Sequence, residues 1–66
     1  MVVSVNGKSM ELPEGVTIED LLQRLRVRRE YMAVALNREV MPKAEYATAV
    51  LKEGDKVEIV RPMGGG

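Results

Sequence analysis

One segment of this 66-residue chain has the spacing of an amphipathic helix, and it limits the possible folds more than any other feature. Four apolar side chains recur at the i, i+3, i+4 and i+7 positions of one helix face: Ile18, Leu21, Leu22 and Leu25. The segments around it are short and β-prone. Because a single helix can cover only one face of a sheet, the sequence predicts an α+β domain whose other sheet face meets solvent.

The start of this helix is marked by local capping signals. Thr17 can accept hydrogen bonds from the free amides of the first turn, and Asp20, three residues on, is a short version of the capping-box partner. Val16 and Leu21 have the spacing of a hydrophobic staple. We expect the helix to run to about Arg26.

Turn signals divide the rest of the chain into short strands. Asn6-Gly7 between two β-prone runs is the strongest short-range signal for a hairpin, and Glu53-Gly54-Asp55 precedes an alternating final run. The predicted strands are residues 2–5, 9–12, 32–36, 39–41 and 56–61. Residues 43–52 are ambiguous, with a short helical turn near Tyr46 and a brief strand at 49–51 as the expectation.

Composition excludes several kinds of site. The chain has neither cysteine nor histidine, which rules out a thiol nucleophile, a disulfide, a Cys/His zinc site and the commonest general base near neutral pH. No residue is therefore assigned as catalytic or metal-binding. A disulfide-free core, with no signal sequence and no long apolar run, predicts a cytoplasmic monomer without a membrane span.

Charge argues against nucleic acid as a partner. Ten basic and ten acidic side chains cancel, and only two aromatic residues are available for stacking on bases. The nearest approach to a basic stripe is Arg24, Arg26, Arg28 and Arg29. Cations late in a helix complement its negative end, so a solvated helix end is favoured over a docking patch for an acidic protein.

The last strand predicts a docking face. If Val57 and Ile59 face the helix, period-two geometry places the intervening side chains on the open sheet face. An exposed apolar patch there would mark a protein interface, whereas a lone exposed valine would mean nothing. The residues assigned to this face are Glu58, Val60, Pro62 and Met63.

The final residues, 63–66, read as a flexible tail attached to a domain of residues 1–62. Gly64, Gly65 and Gly66 lack a Cβ, favour no regular structure and lose the most entropy when ordered. Their freedom is either idle or functional.

Taken together, these motifs resemble a known family. The hairpin at 6–7 and the capped helix are followed by Ala35-Leu36-Asn37, Val40-Met41-Pro42, Glu53-Gly54-Asp55 and a closing Gly65-Gly66. This order resembles the thiamine-biosynthesis sulfur carriers of the ThiS/MoaD family, within the ubiquitin-like β-grasp superfamily. The resemblance covers essentially the whole chain and implies a mixed sheet of four to five strands with one helix across one face.

The resemblance also implies a function. In this family an E1-like, ThiF-type enzyme uses ATP and magnesium to adenylate the terminal glycine, here Gly66, and a persulfide enzyme supplies the sulfur that gives a thiocarboxylate. The thiocarboxylate then donates sulfur to a ThiG-type thiazole synthase. Gly65 and Gly64 would enter the partners' active sites. The carrier itself would be no enzyme and would bind no cofactor.

Other functions share some of these features. Carriers for molybdopterin, transfer-RNA thiolation or cysteine synthesis have the same fold and tail, although molybdopterin carriers tend to be longer and richer in phenylalanine near the end. A ubiquitin-like modifier joined through Gly66 to lysine amines belongs to a different class. A nucleic-acid-binding domain is a third alternative, and the charge balance argues against it.

Overall fold

The computed structural model describes residues 1–28, 30 and 32–61. The elements within these residues are β1 (Val2–Val5), β2 (Lys8–Glu11), α1 (Ile18–Arg24), β3 (Ala33–Leu36), β4 (Glu39–Val40), a 3-10 turn (Lys43–Glu45) and β5 (Lys56–Val60). The bounds of the five strands differ from the predicted ones by at most one residue at either end. The division into a domain and a tail at residue 62 stays a prediction.

The five strands form one mixed sheet in the order β2-β1-β5-β3-β4. β1 and β5 run parallel, with Ser4 opposite Lys56 and Val5 opposite Val57. The other three pairs of neighbouring strands, β1-β2, β3-β5 and β3-β4, are antiparallel. The last strand of the chain therefore lies in the centre of the sheet. A mixed sheet of this order with one helix across it is the β-grasp architecture, which confirms the predicted fold class.

The start of α1 follows the predicted capping chemistry. The Thr17 side-chain oxygen accepts from the Asp20 N–H at 3.1 Å, and the Asp20 carboxylate accepts from the Thr17 N–H at 3.1 Å. The two bonds satisfy donors at the helix start that no helical carbonyl can reach.

The end of α1 comes at Arg24, two residues before the predicted end. The chain leaves the helix because Arg26 takes a left-handed backbone conformation, with φ of 58°. The Arg26 N–H then donates to the Gln23 carbonyl at 3.1 Å, and the Val27 N–H donates to the Leu22 carbonyl at 3.0 Å. This pair of bonds is a Schellman motif, which usually has glycine where this chain has Arg26.

The core lies between α1 and one face of the sheet. The buried apolar side chains are Val3, Val5, Leu12, Val16, Ile18, Leu21, Leu22, Val34, Tyr46, Leu51 and Val57. Among the described residues, no polar or charged side chain other than the Tyr46 phenol is buried. The helix stripe predicted from the sequence supplies Ile18, Leu21 and Leu22, and Leu25 packs at the edge of the cluster.

Tyr46 is a core residue that the sequence did not reveal. Its side chain is 1% exposed, and its hydroxyl oxygen accepts from the Val34 N–H at 3.2 Å. β4 ends at Val40; beyond it the Met41 N–H donates to the Val34 carbonyl, while the Val34 N–H donates to the Tyr46 hydroxyl and not to a carbonyl of that segment. The tyrosine hydroxyl thus occupies the place of a strand carbonyl.

The ambiguous stretch before β5 contains little regular structure. The expected helical turn is present as the 3-10 turn Lys43–Glu45, but the brief strand expected at 49–51 is reduced to one isolated bridge between Val50 and Thr17. The amides on either side of this bridge bond across it to residues distant in sequence: the Leu51 N–H donates to the Val16 carbonyl at 2.8 Å, and the Ile18 N–H donates to the Ala49 carbonyl at 3.0 Å. Within the described residues, no helix is long and apolar enough to span a membrane.

Replacing Arg26 by glycine should stabilise the domain. Glycine adopts a positive φ without the Cβ penalty, so Arg26→Gly should raise the free energy of unfolding by about 0.5–1 kcal/mol. Urea denaturation gives the value. Arg28→Gly is the matched control, because Arg28 is exposed and has no positive φ, and it should gain nothing. Equal effects of the two changes would contradict the strain argument.

Removing the buried hydroxyl of Tyr46 should destabilise the domain. Tyr46→Phe leaves the Val34 N–H without its partner, which should lower the free energy of unfolding by about 1–3 kcal/mol. Thr48→Val removes an exposed hydroxyl that donates to the Glu45 carbonyl at 3.3 Å, and it should cost less than about 0.5 kcal/mol. A Tyr46→Phe protein as stable as the parent would show that this bond contributes nothing.

Candidate functional site

The sheet face opposite α1 carries an apolar patch around the end of β5. Residues paired across strands point to the same face, and the register pairs Val60 with Ala33 and pairs Ala35 with both Glu58 and Val40. Their neighbours in sequence, such as Val57 on β5, point into the core. We define the open-face patch as these five residues: Ala33, Ala35, Val40, Glu58 and Val60.

Most of the surface that the patch exposes to solvent is apolar. Val40 is 74% and Val60 56% exposed, and Ala33 and Ala35 are half-buried beside them. Glu58 is the charged member and lies opposite Ala35. Val60 is therefore part of a group rather than a lone exposed valine, because β3 places two small apolar residues next to β5.

The other half of the open face is more polar. The register places Ser4 opposite Ser9 and Val2 opposite Glu11, and Lys56 lies beside Ser4 on β5. Apolar exposure is thus concentrated on the β5-β3-β4 side. An apolar patch with polar surroundings is the usual form of a surface that another protein covers.

The patch adjoins the point where the predicted tail begins. Glu58 and Val60 have the orientation that strand alternation predicted, and Val60 is followed directly by Arg61, the last described residue. Pro62, Met63, Gly64, Gly65 and Gly66 lie outside the described residues. Their roles stay predictions, as does a docking role for Glu58 and Val60.

Two asparagines hold β5 in place: Asn6, which the sequence marked as a turn residue, and Asn37, which it marked as part of a family motif. The side-chain amide of Asn6 bonds to Ile59, and that of Asn37 bonds to the start of the strand at Lys56. Both asparagines have a left-handed backbone, with φ of 50° and 51°, which asparagine tolerates better than most residues. The residue type was therefore the one signal that the sequence offered. The distant partners could not be read from it.

The charged side chains outside the open-face patch are the remaining candidates for a binding site. Arg24, Arg26 and Arg28 are exposed, as both a solvated helix end and a docking patch require, and Arg29 lies outside the described residues. Over the part of the chain that the structure describes, no cluster of three or more acidic side chains could hold a metal ion.

Comparison with known proteins decides the family. The model of the ThiS family matches residues 3–66, nearly the whole chain. The chain belongs to the ThiS family. Its resemblance to these proteins, suggested by the order of its motifs, is thereby confirmed.

Relatives of this ThiS-family chain fall into two lengths. A sulfur carrier protein ThiS from Thermus thermophilus is 37% identical over 65 residues, covering 98% of this chain and 100% of that protein. A thiazole synthase from Paramagnetospirillum magneticum is 39% identical over 66 residues, all of this chain. The chain spans 20% of the length of the thiazole synthases that it matches.

A solved structure agrees with the fold over its full length. The crystal structure of the thiamine biosynthesis protein ThiS from Geobacter metallireducens superposes with a TM-score of 0.89 at 38% identity, covering 100% of both chains. The β-grasp fold of this chain is therefore that of a ThiS protein.

Proposed function

We propose that this chain is a sulfur carrier of thiamine biosynthesis whose terminal glycine, Gly66, is adenylated and then converted to a thiocarboxylate. The observation that carries the proposal is the family match, which continues through the closing glycines to residue 66. Relatives of the same length are named sulfur carrier proteins. The chain is accordingly proposed as a co-substrate of other enzymes rather than a catalyst.

The chemistry explains why other enzymes are needed. A terminal carboxylate is ionised near neutral pH and is a poor electrophile. An E1-like, ThiF-type enzyme would use ATP and magnesium to form the acyl adenylate with release of pyrophosphate. Persulfide sulfur would then displace AMP, and two electrons from a thiol would cleave the resulting acyl disulfide to release the thiocarboxylate. This chain supplies only the carboxylate and binds neither ATP nor magnesium itself.

Thiazole synthase is the proposed recipient of the sulfur. Proteins named thiazole synthase contain a segment similar to this entire chain, which favours that pathway over the related ones. Transfer would return Gly66 to the free acid. The proposed compartment is the cytoplasm, where ATP is available, and the free carrier is proposed to be a monomer.

The tail and the open-face patch have complementary roles in this proposal. Gly64 to Gly66 add about 10 Å of reach at roughly 3.3 Å per residue, and their lack of side chains suits a narrow channel. Ordering them costs about 1–2 kcal/mol per residue. Burial of Val40 and Val60 against a partner, with contacts from Pro62 and Met63, would offset this cost.

Conversion of the terminal carboxylate can be tested directly. After incubation with the ThiF-type enzyme, ATP, magnesium and a persulfide donor, intact-protein mass spectrometry should show the replacement of one oxygen by one sulfur. Fragment ions should place the change at Gly66. Intact mass of the protein from its own cells checks that the mature chain ends there.

Deletion of Gly66 is the control for this reaction. The shortened protein should unfold at the same urea concentration, since residue 66 follows the end of β5 by six positions in the sequence, yet gain no sulfur. A deletion variant that still forms a thiocarboxylate would refute the assignment. Isopeptide conjugates to lysine without any thiocarboxylate would favour the protein-modifier alternative.

The docking role of the patch predicts a binding defect without unfolding. Val60→Lys should weaken binding to the ThiF-type enzyme at least tenfold by calorimetry, because it places a charge in the apolar contact. Its stability should fall by about 1 kcal/mol or less, since Val60 is 56% exposed. Val2→Lys is the matched control on the polar half of the same face, and equal binding by both variants would exclude the patch.

A further inference from the structure

The side chain of Asn6 continues the β1-β5 ladder after β1 has ended. The ladder begins with the Ser4 N–H bonded to the Asp55 carbonyl at 2.9 Å and continues with the Asn6 N–H bonded to the Val57 carbonyl at 2.9 Å. The next position on β5 is Ile59. Asn6 Oδ1 accepts from the Ile59 N–H at 2.8 Å, and Asn6 Nδ2 donates to the Ile59 carbonyl at 3.2 Å.

These two bonds take the place of a peptide group. Alternate residues of β5 direct their backbone groups towards β1, and Ile59 is the last of them before the described chain ends at Arg61. The backbone of β1 cannot reach Ile59, because Asn6-Gly7 turns the chain away into β2. A primary amide has the same donor and acceptor as a peptide, so Asn6 supplies the missing rung.

A second asparagine does the same at the opposite end of β5. The Asn37 N–H donates to the Lys56 carbonyl at 2.7 Å, and Asn37 Oδ1 accepts from the Lys56 N–H at 3.0 Å. Asn37 Nδ2 also donates to an Asp55 carboxylate oxygen at 3.2 Å. Both asparagines have a φ close to 50°. They differ in the end of β5 that they hold, which makes one a control for the other.

We propose that Asn6 is a positioning residue for the terminal carboxylate of Gly66. By holding both backbone groups of Ile59, it fixes β5 on the β1 side almost to the end of the strand, while β3 holds the strand on its other side through Val60. The direction in which the chain leaves the sheet at Val60 is then fixed from both sides. This inference rests on the proposed function, because only a carrier needs its end delivered to a reacting nucleotide.

The size of the effect follows from orientation rather than from length. Gly66 lies seven positions beyond Ile59 in the sequence, a reach of roughly 23 Å when extended. If loss of the Asn6 amide released Ile59 and Val60 from the sheet, the effective concentration of the terminal carboxylate would fall only slightly, because closure entropy grows slowly with chain length. A strand held on one side can swing at its end, however, and loss of a defined approach direction slows a positioned reaction considerably.

Hydrogen exchange in the free protein tests the physical part of the proposal. Glycine adopts the left-handed conformation without strain, so Asn6→Gly and Asn37→Gly each keep the turn and remove one side-chain amide. By NMR, Asn6→Gly should speed exchange at Ile59 about tenfold or more and spare Lys56, and Asn37→Gly should do the reverse. Unchanged protection of Ile59 in Asn6→Gly would overturn the proposal.

Steady-state thiocarboxylate formation with the ThiF-type enzyme tests the functional part. Asn6→Gly should lower kcat about threefold or more and leave KM within about twofold, because docking through the open-face patch is intact. Asn37→Gly should leave both constants within about twofold. Asn6→Asp keeps an acceptor for the Ile59 N–H and should restore part of kcat.

The outcomes separate this proposal from the function on which it rests. If the parent protein gains no sulfur, the proposed function is wrong, and the positioning role is lost with it. If the parent is converted and Asn6→Gly performs like Asn37→Gly, the positioning role alone is wrong. A rise in KM with unchanged kcat would also contradict it, since Asn6 would then act on docking.

Discussion

The fold depends on the insertion of the last strand between the first and the third. β5 pairs in parallel with β1 and antiparallel with β3, so the sheet is incomplete until residues 56–60 are in place. This pairing brings together residues as far apart in sequence as Asn6 and Ile59, which are 53 positions apart. Such contacts close a large loop of chain, so forming them costs more conformational entropy than forming a helix turn or a hairpin does. Val57, the second residue of β5, offsets part of this cost through its burial in the core.

Short strands leave ladders with missing rungs, and side chains fill them. Asn6 and Asn37 do so at the two ends of β5, and the Tyr46 hydroxyl does so at Val34. Each restores a bond that strands of four or five residues cannot make with backbone alone. The bond at Val34 is buried, and in a domain of this size an unpaired buried amide would cost a large share of the net stability, whereas the bonds made by the two asparagines are exposed. Side-chain amides and a phenol therefore act as parts of the sheet.

What the sequence could predict was set by the distance between interacting residues. The start of α1 was predictable because Thr17 and Asp20 are three residues apart, and the helix stripe because its period is local. The burial of Tyr46 was not predictable, since its partner Val34 is 12 residues away in a different element. The end of α1 was misplaced because Arg26 takes a conformation for which glycine is the usual signal. The orientation of Glu58 and Val60 followed from strand alternation, but their apolar neighbours depended on a register that only the fold supplies.

The small number of elements links the fold to the proposed function. α1 covers one sheet face, and Val40 and Val60 on the other face are exposed. Because β5 is both the central strand and the last described one, this exposed patch lies beside Arg61, where the described chain ends. In the proposed function, a partner that covers the patch would meet the chain shortly before Gly66. If β5 were an edge strand, its end could fray, and docking on the sheet would not determine where the terminus goes. In the proposed function, the central placement of the last described strand, with Ile59 held by Asn6, would relate a contact on the sheet to the delivery of the Gly66 carboxylate.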